Sequence, residues 1–164
     1  MTECIQTSFE FTAHHGRAVL ADFSGPVTTS DGGALLLRET DKRLKLMSRL
    51  AGCFRDQRDP RYVRHSVQEL VAQRVYGLAL GYEDLNDHDQ WRQDPLLGVL
   101  TGRRDTRRPQ AGKSTLNRLE LSTHAPDRYK KIVCDADSID RLFVELFVEA
   151  FAAPPARIVL DLDA

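Results

Sequence analysis

Apolar and polar residues alternate near the start of the chain. Residues 5–11 follow this pattern, and residues 17–23 form a second short apolar run. A period of two matches the β-strand, in which successive side chains point to opposite faces. Gly25 and Pro26 then break the pattern. The sequence therefore predicts a hairpin or two edge strands, within a β-rich segment at residues 1–28.

Further along, apolar residues recur at the three- and four-residue spacing of helices. A first helix is predicted from about residue 33 to about residue 50, with Ser30 or Asp31 as its N-cap. A second helix follows the sequence Ser66-Val67-Gln68-Glu69. This is a capping box, in which the serine hydroxyl and the glutamate carboxylate each accept a hydrogen bond from a backbone amide. The second helix is predicted to end near Leu80.

Three more helices are predicted downstream. Asp94-Pro95 provides the N-cap and first residue of a short helix that ends near residue 100, and another helix covers about residues 114–121. Asp137 is the predicted N-cap of the last helix, which has one wide apolar stripe. The stripe consists of Ile139, Leu142, Phe143, Leu146, Phe147, Ala150 and Phe151. Residues 29–153 are therefore predicted to be mainly helical.

The sequence ends on a run of β type, residues 157–163, which follows Pro154-Pro155. On a strand, Asp161 and Asp163 would share one face. Carboxylates at the end of an apolar strand are suited to hold a hard divalent cation for phosphate chemistry. We expect residues 156–164 to be the first strand of a larger catalytic domain. The alternative is a solvated polar end of the chain, since aspartate is common at strand ends.

Composition places the chain in the soluble globular class. It has 164 residues, of which 41% are hydrophobic and 29% are charged. The apolar runs are too short to span a membrane, and no secretory signal is recognisable, so a cytoplasmic location is expected. Cys4, Cys53 and Cys134 are too far apart to indicate a disulfide framework or a zinc site. With its strands and helices in separate stretches, the predicted fold class is α+β.

The formal net charge of −1 conceals two blocks of opposite sign. Residues 101–118 contain six basic residues and one acidic residue, for a net charge of +5, and residues 82–94 contain five acidic residues and one basic residue, for −4. The basic residues of the first block are Arg103, Arg104, Arg107, Arg108, Lys113 and Arg118. Because local patches rather than totals meet phosphates, the first block predicts nucleic-acid contact, partly neutralised by the second.

Several tempting motifs fail on their spacing. Ala111-Gly112-Lys113-Ser114 resembles the end of a phosphate-binding P-loop, but position 107 is arginine where that motif needs glycine. The run of residues 84–89 lacks the glycine and the glutamate of a calcium loop, so helix capping and solvated charge explain it better. The adjacent His14 and His15 are more often a feature of a chain terminus than a site.

The helix that follows the arginine-rich segment has the chemistry of a DNA reader. It begins with serine and threonine, and its Thr115, Asn117 and Arg118 offer donors and acceptors for base edges and phosphates. In a helix-turn-helix, residues at the start of the second helix reach the major groove. The alternative is an exposed helix whose polar residues only cap and solvate it.

These residues together carry a resemblance to a known family. The matching stretches are Ser30-Asp31-Gly32-Gly33, Asp56 to Pro60, His65-Ser66, Arg74 to Asp89, Asp94-Pro95, Ser114 to Glu120 and Leu160 to Ala164. In this order they resemble the N-terminal half of bacterial insertion-sequence transposases with a group 1 DDE domain. The specific part is Gly81 to Asp89, and the resemblance spans most of the chain.

The resemblance implies an RNase H-like core whose first strand is the terminal one. It makes Asp163 the first metal-binding and catalytic aspartate, with Asp161 as the alternative, and it implies Mg²⁺ as the cofactor. The chemistry would be two-metal phosphoryl transfer on DNA, with the transposon terminal inverted repeats as partner. The other carboxylates would lie beyond Ala164, so we expect an N-terminal part that binds DNA and is inactive alone.

Two other functions stay open at this point. One is a non-enzymatic helical module that forms a homodimer through the phenylalanine-rich stripe of the last helix. The other is a transposase remnant without function.

Overall fold

The computed structural model of the chain describes residues 8–22 and 29–160, and it shows a mixture of helices and short strands. The predicted α+β class is confirmed. The strands are β1 (Ser8–His14), β2 (Arg17–Asp22), β3 (Phe54–Asp56) and β4 (Ile132–Cys134). The helices are α1 (Ala34–Leu44), α2 (Leu46–Ala51), α3 (Val67–Ala79), α4 (His88–Trp91), α5 (Pro95–Leu100), α6 (Lys113–Glu120) and α7 (Ala136–Glu149), with a 3₁₀ turn at Pro60–Tyr62.

Strands β1 and β2 form the predicted N-terminal hairpin, paired antiparallel from Ser8 opposite Asp22. His15 and Gly16 make the turn, with φ values of 47° and 77°. Positive φ at both central residues gives a two-residue turn whose twist matches that of the strands. Residues 1–7 and 23–28 of the predicted β-rich segment lie outside the described residues.

The single helix predicted over residues 33–50 is wrong, because the chain breaks it at Lys45. This residue has φ of 56°, which is the left-handed region. The Asp41 carboxylate then accepts a hydrogen bond from the Met47 amide at 2.8 Å and so caps the new helix α2. The apolar residues keep nearly the same three- and four-residue spacing across Lys45. The apolar pattern therefore did not indicate that the helix breaks there.

Local capping signals were predicted with mixed success. The capping box at Ser66 and Glu69 is confirmed, with its two backbone amide bonds at 2.8 and 3.1 Å. The Asp94 carboxylate caps α5 through the Leu96 amide at 2.8 Å, as predicted.

Two predicted N-caps are wrong. Gly33 precedes α1 without a side-chain cap, and the Asp31 carboxylate instead accepts a hydrogen bond from the Tyr82 hydroxyl at 2.9 Å. Helix α7 is capped by Asp135 through the Ser138 amide at 3.1 Å, and Asp137 lies in its first turn. An aspartate two residues earlier in the same helix start offers the same local signal.

The apolar and polar pattern did not predict the second sheet, in which β3 pairs antiparallel with β4. Phe54 lies opposite Cys134, so the sheet joins the end of α2 to the start of α7. Each strand has three residues, which is too short for an alternating pattern to be recognised.

Helix α3 lies between two apolar clusters and contributes to both. The first cluster contains Ala34, Leu35, Met47, Ala72, Tyr76, Trp91, Leu97 and Leu100. The second contains Leu70, Val71, Ala111, Leu116, Leu119 and Ile132. Because α3 is buried on two sides, it packs directly against α2, α5 and α6.

The predicted terminal strand is not formed over the part that the structure describes. Residues 157–160 belong to no strand there, and Ile158, Val159 and Leu160 are exposed. The two sheets of the described residues have two strands each, so an RNase H-like core is not confirmed. An apolar run forms a strand only where a neighbouring strand takes up its backbone hydrogen bonds.

Within the described residues, every helix is too short or too polar to cross a lipid bilayer.

We expect Gly77→Ala to lower the free energy of unfolding by about 1–3 kcal/mol, the usual cost of overpacking a core. A Cβ atom at Gly77 would lie 2.6 Å from Cε1 of the fully buried His88. This clash outweighs the helix preference of alanine, about 1 kcal/mol. Urea unfolding measures the change. Gly33→Ala is the matched control, since its Cβ atom would meet nothing within 4 Å. Equal stability of the two variants would show that His88 is not held in place.

Candidate nucleic-acid interface

Helix α6 packs its apolar side on α3 and leaves its polar side exposed. Leu116 and Leu119 are buried in the second cluster against Leu70 and Val71. The spacing of three between these leucines places both on one face of the helix. Ser114, Asn117 and Arg118 are exposed, and Thr115 is half-buried. The structure therefore leaves the predicted reader residues accessible, apart from part of Thr115.

The start of α6 is held in place by a buried glutamine of α3. The Gln73 side chain donates a hydrogen bond to the Ala111 carbonyl at 2.8 Å and accepts one from the Ala111 amide at 3.0 Å. Both residues are 1% exposed. A side-chain amide that satisfies both backbone groups of one buried residue fixes that segment in register.

Arg74, the next residue of α3, holds the segment that carries the specific part of the sequence resemblance. Its guanidinium donates to the carbonyls of Tyr82 at 3.0 Å and Glu83 at 2.7 Å, and to Nε2 of His88 at 3.2 Å. It also pairs with Glu120 of α6. Burial, reinforced by the Arg74 charge, lowers the pKa of His88, so its ring is neutral and accepts the bond.

The prediction that the acidic segment is only capping and solvated charge was incomplete. Asp84 orders a local turn by accepting a hydrogen bond from the Asn86 amide at 2.8 Å, but Asp87, the N-cap residue of α4, makes no side-chain cap bond. His88, however, is fully buried between α3 and α4, with Nδ1 3.4 Å from the Gln73 amide nitrogen. No local signal identified this histidine, because its partners lie 14 and 15 residues away.

Lys113 contacts the acidic block rather than open solvent alone. Its ammonium group donates to the Asn86 side-chain oxygen at 2.9 Å and lies 3.6 Å from the Asp89 carboxylate. The Asp89 carboxylate also accepts a hydrogen bond from the Lys113 amide at 3.2 Å. The predicted partial neutralisation of the two blocks is therefore present at this contact.

In the arginine loop, residues 103–108, the side chains of some arginines bond to other described residues of the protein and those of others do not. The Arg103 guanidinium lies 3.1 Å from Nδ1 of His65 and donates to the Pro109 carbonyl at 3.2 Å. Burial, with Arg103 nearby, lowers the pKa of His65 and keeps that ring neutral. Arg108 lies 3.4 Å from Asp105. The side chains of Arg104 and Arg107 are exposed and form no ion pair with any described residue.

The turn of the N-terminal hairpin supports the arginine loop. His14 donates from Nε2 to the Arg103 carbonyl at 2.7 Å, and His15 donates from Nε2 to the Gly102 carbonyl at 3.0 Å. His14 is 5% exposed, and burial lowers its pKa. Treating these adjacent histidines as a terminal feature was wrong, because they connect the hairpin to a loop 87 to 89 residues away.

A small basic pocket opens beside α6. We define the basic pocket by its lining residues, which are Arg58, Thr115, Arg118, Arg128, Tyr129, Lys131 and Ile132. Its volume is about 180 Å³. Sequence reasoning missed Arg58, Arg128, Tyr129 and Lys131, because Arg58 lies in a different loop from the other three and far from them in the chain. The basic residues within 128–131 could have indicated a further contact for an anion.

Only one cation of the basic pocket is neutralised by a described residue. Arg58 binds the Asp56 carboxylate through two hydrogen bonds of 2.8 and 2.7 Å, and this pairing lowers the pKa of Asp56. Arg118, Arg128 and Lys131 form no ion pair within residues 8–22 and 29–160. Three unpaired cations at one pocket are suited to bind an anion.

The basic pocket and the arginine loop are neighbours through His65. Arg58 donates to the His65 carbonyl at 2.9 Å, and Arg103 contacts the ring of the same residue. The exposed side of α6, the arginine loop and the basic pocket thus form one basic surface. Its arrangement differs from the predicted helix-turn-helix, because residues 101–112 separate α5 from α6 and a helix-turn-helix has a short turn.

The predicted catalytic and metal-binding residues, Asp161 and Asp163, lie outside the described residues. Among those that are described, no group of three or more histidine, cysteine, aspartate or glutamate side chains is placed to hold a metal ion. The described part of the chain therefore does not provide a divalent metal site.

The chain was compared with known proteins. The family model described as "Transposase DDE domain group 1" matches residues 11–164. In the comparisons with curated proteins and with solved structures, no protein matches.

We expect Gln73→Leu to lower the free energy of unfolding by about 2–6 kcal/mol. The variant leaves the buried amide and carbonyl of Ala111 without partners, at about 1–3 kcal/mol for each group. Urea unfolding measures the loss. Gln93→Leu is the control, because Gln93 is exposed. A similar stability of both variants would show that Gln73 does not hold the start of α6.

Proposed function

The chain belongs to the group 1 DDE transposase family, and on that basis we propose that it binds the terminal inverted repeats of a transposon through its basic surface. The observation that supports this proposal most directly is the group of unpaired cations on that surface. Those of α6 and of the loop before β4 line one pocket, and the arginine loop is linked to that pocket through His65.

Charge supports this proposal in spite of the net value of −1. Several acidic residues are engaged by arginine or lysine on the same molecule, among them Asp56, Asp89 and Glu120. Arg104, Arg107 and Arg118 keep their charge available for phosphates. Phosphate contacts give affinity without sequence preference, and Asn117 and Thr115 of α6 are the residues that we propose for base contact.

DDE transposases depend on divalent metal ions, and we propose Mg²⁺ for this chain. Asp163, with Asp161 as the alternative, stays the predicted ligand and catalytic aspartate. The support is the sequence resemblance together with the preference of Mg²⁺ for carboxylate oxygen. When bound, such an ion would stabilise charge on the reacting phosphate.

We expect the double variant Arg104→Gln/Arg107→Gln to bind duplex DNA more weakly whatever the sequence. Both side chains are exposed and without ion pairs to described residues, so their loss removes phosphate contacts and little else. The slope of log K against log salt should fall by about 0.9 for each lost contact. Fluorescence anisotropy with a labelled duplex across a salt series measures both quantities.

Arg43→Gln is the matched control for this experiment. Arg43 is an exposed arginine of α1, outside the basic surface, so its loss should leave the salt slope unchanged. Failure of the wild-type protein to bind any duplex at low salt, where phosphate contacts are strongest, would overturn the proposal.

A homodimer is a second proposal, supported by the exposed apolar face of α7. Leu142 is its buried residue, whereas Phe143 is 58% exposed and Phe147 and Phe151 are 44% exposed. The rings of Phe147 and Phe151 pack edge to face, with centroids 5.1 Å apart. Exposed apolar patches of this kind mark association sites more often than single exposed residues do.

We expect Phe143→Ser/Phe147→Ser to shift the protein from dimer to monomer in sedimentation velocity over a concentration series. The substitutions remove the apolar area that a two-fold interface on α7 would bury. Leu36→Ser is the control, because Leu36 is 65% exposed on α1. A wild-type protein that stays monomeric at every concentration would contradict the dimer.

A further inference from the structure

We propose that the basic pocket and Tyr129 together bind one nucleotide of an unpaired DNA strand. The phosphate lies in the basic pocket and the base stacks on the tyrosine ring. This inference rests on the proposed function, DNA binding by the basic surface, and specifies the form of DNA that the surface takes. It predicts a preference for DNA with a single-stranded end over an intact duplex.

The charge of the basic pocket indicates that its ligand is an anion. Arg118, Arg128 and Lys131 surround it without an ion pair to any described residue, and Arg58 is already bound by Asp56. Thr115 adds a hydroxyl that donates or accepts a hydrogen bond. Arginine and lysine near a hydroxyl are the groups that most often contact phosphate oxygens in DNA complexes.

The volume of the basic pocket limits how much of a nucleotide it holds. Pockets for whole small-molecule ligands have volumes of about 300–1,000 Å³. The basic pocket, at about 180 Å³, is smaller than that range. It therefore fits a phosphate group, and the base of the same nucleotide has to lie outside it.

Tyr129 is the aromatic ring at the edge of the basic pocket, and it is 74% exposed. Its backbone is ordered by Asp127, whose carboxylate accepts hydrogen bonds from the Tyr129 amide at 2.6 Å and from the Lys130 amide at 2.5 Å. The Arg128 guanidinium lies over the ring, 5.6 Å from its centroid. An exposed ring on an ordered turn beside unpaired cations is the arrangement that proteins use to stack bases of single strands.

Inside an undistorted duplex, a paired base does not present its face to a ring on the protein surface. Bases inside a duplex stack on each other and present only their edges in the grooves. A ring on the protein surface reaches the face of a base only where that base is unpaired, at an end, a gap or a melted position. The partner is accordingly DNA with a short single-stranded segment next to a duplex.

The chain contains a matched control for Tyr129. Tyr62 is 79% exposed, and the Arg61 guanidinium lies 5.7 Å from its ring centroid. Arg61 is neutralised by Asp59 at 2.7 Å, and neither residue lines the basic pocket. Tyr62 thus has the same ring with an arginine over it, but it lies outside the basic pocket and its arginine is neutralised.

The experiment measures fluorescence anisotropy of the full chain with three labelled DNA probes of one sequence: a blunt duplex, the duplex with a short single-stranded overhang, and the single strand. The wild-type protein should bind the overhang probe about tenfold more tightly than the blunt duplex, as expected for one stacked base. Tyr129→Ala should abolish that difference, because it weakens binding of the overhang probe more than binding of the blunt duplex. Tyr129→Phe and Tyr62→Ala should both retain it.

Lys131→Gln tests the phosphate contact separately from the stacking, whereas Arg128→Gln also removes the guanidinium that lies over the Tyr129 ring. Each should weaken overhang binding and lower its salt slope by about one unit, since each removes one phosphate contact. Thermal unfolding followed by circular dichroism should show that every variant is folded, because these side chains line the protein surface.

The outcomes separate this inference from the proposed function. Equal binding of blunt and overhang probes by the wild-type protein, or an equal loss on both probes in Tyr129→Ala, would overturn the inference while DNA binding stands. Absence of binding to all three probes at low salt would overturn both.

Discussion

The pair of hydrogen bonds between the Gln73 amide and the backbone of Ala111 is the contact on which the candidate interface depends. It joins the most buried helix, α3, to the residue that precedes α6. An apolar contact at this point would permit sliding, whereas a donor and an acceptor matched to one peptide fix both position and direction. Arg74 and His88, adjacent to this contact, extend the same constraint to the segment of residues 82–89. The start of α6, a helix at the surface, is thereby fixed to the buried helix α3.

Several features that depend on neighbours in sequence were predicted correctly. The capping box at Ser66, the Asp94 cap and helix α6 follow from patterns within four residues of each other. Features that depend on distant partners were not predicted. The pairing of β3 with β4 and the surroundings of His88 arise only when segments far apart in the chain meet. One long helix was predicted where the structure has α1 and α2. The apolar periodicity did not indicate the hydrogen bond by which the Asp41 carboxylate caps α2.

The candidate site divides along the same line. Thr115, Asn117 and Arg118 were recognisable because they lie together on one short helix after a run of arginines. The basic pocket was not recognisable from the sequence, since its cations come from α6 and from loops that follow β3 and precede β4. These strands pair in the small second sheet. From the sequence alone, the arginines of a loop that bond within the protein cannot be distinguished from those that do not. The structure distinguishes Arg103, which is bonded within the protein, from Arg104 and Arg107, which are not.

The hairpin turn at His15 and Gly16 has a consequence for the thermodynamics of association. Because His14 and His15 hold two consecutive carbonyls of the loop, that backbone has given up part of its conformational entropy during folding. A loop that is already ordered loses less entropy when a polyanion arrives, so more of the electrostatic attraction appears as affinity. In this way the N-terminal strands contribute to binding at a distance, through preorganisation rather than through contact.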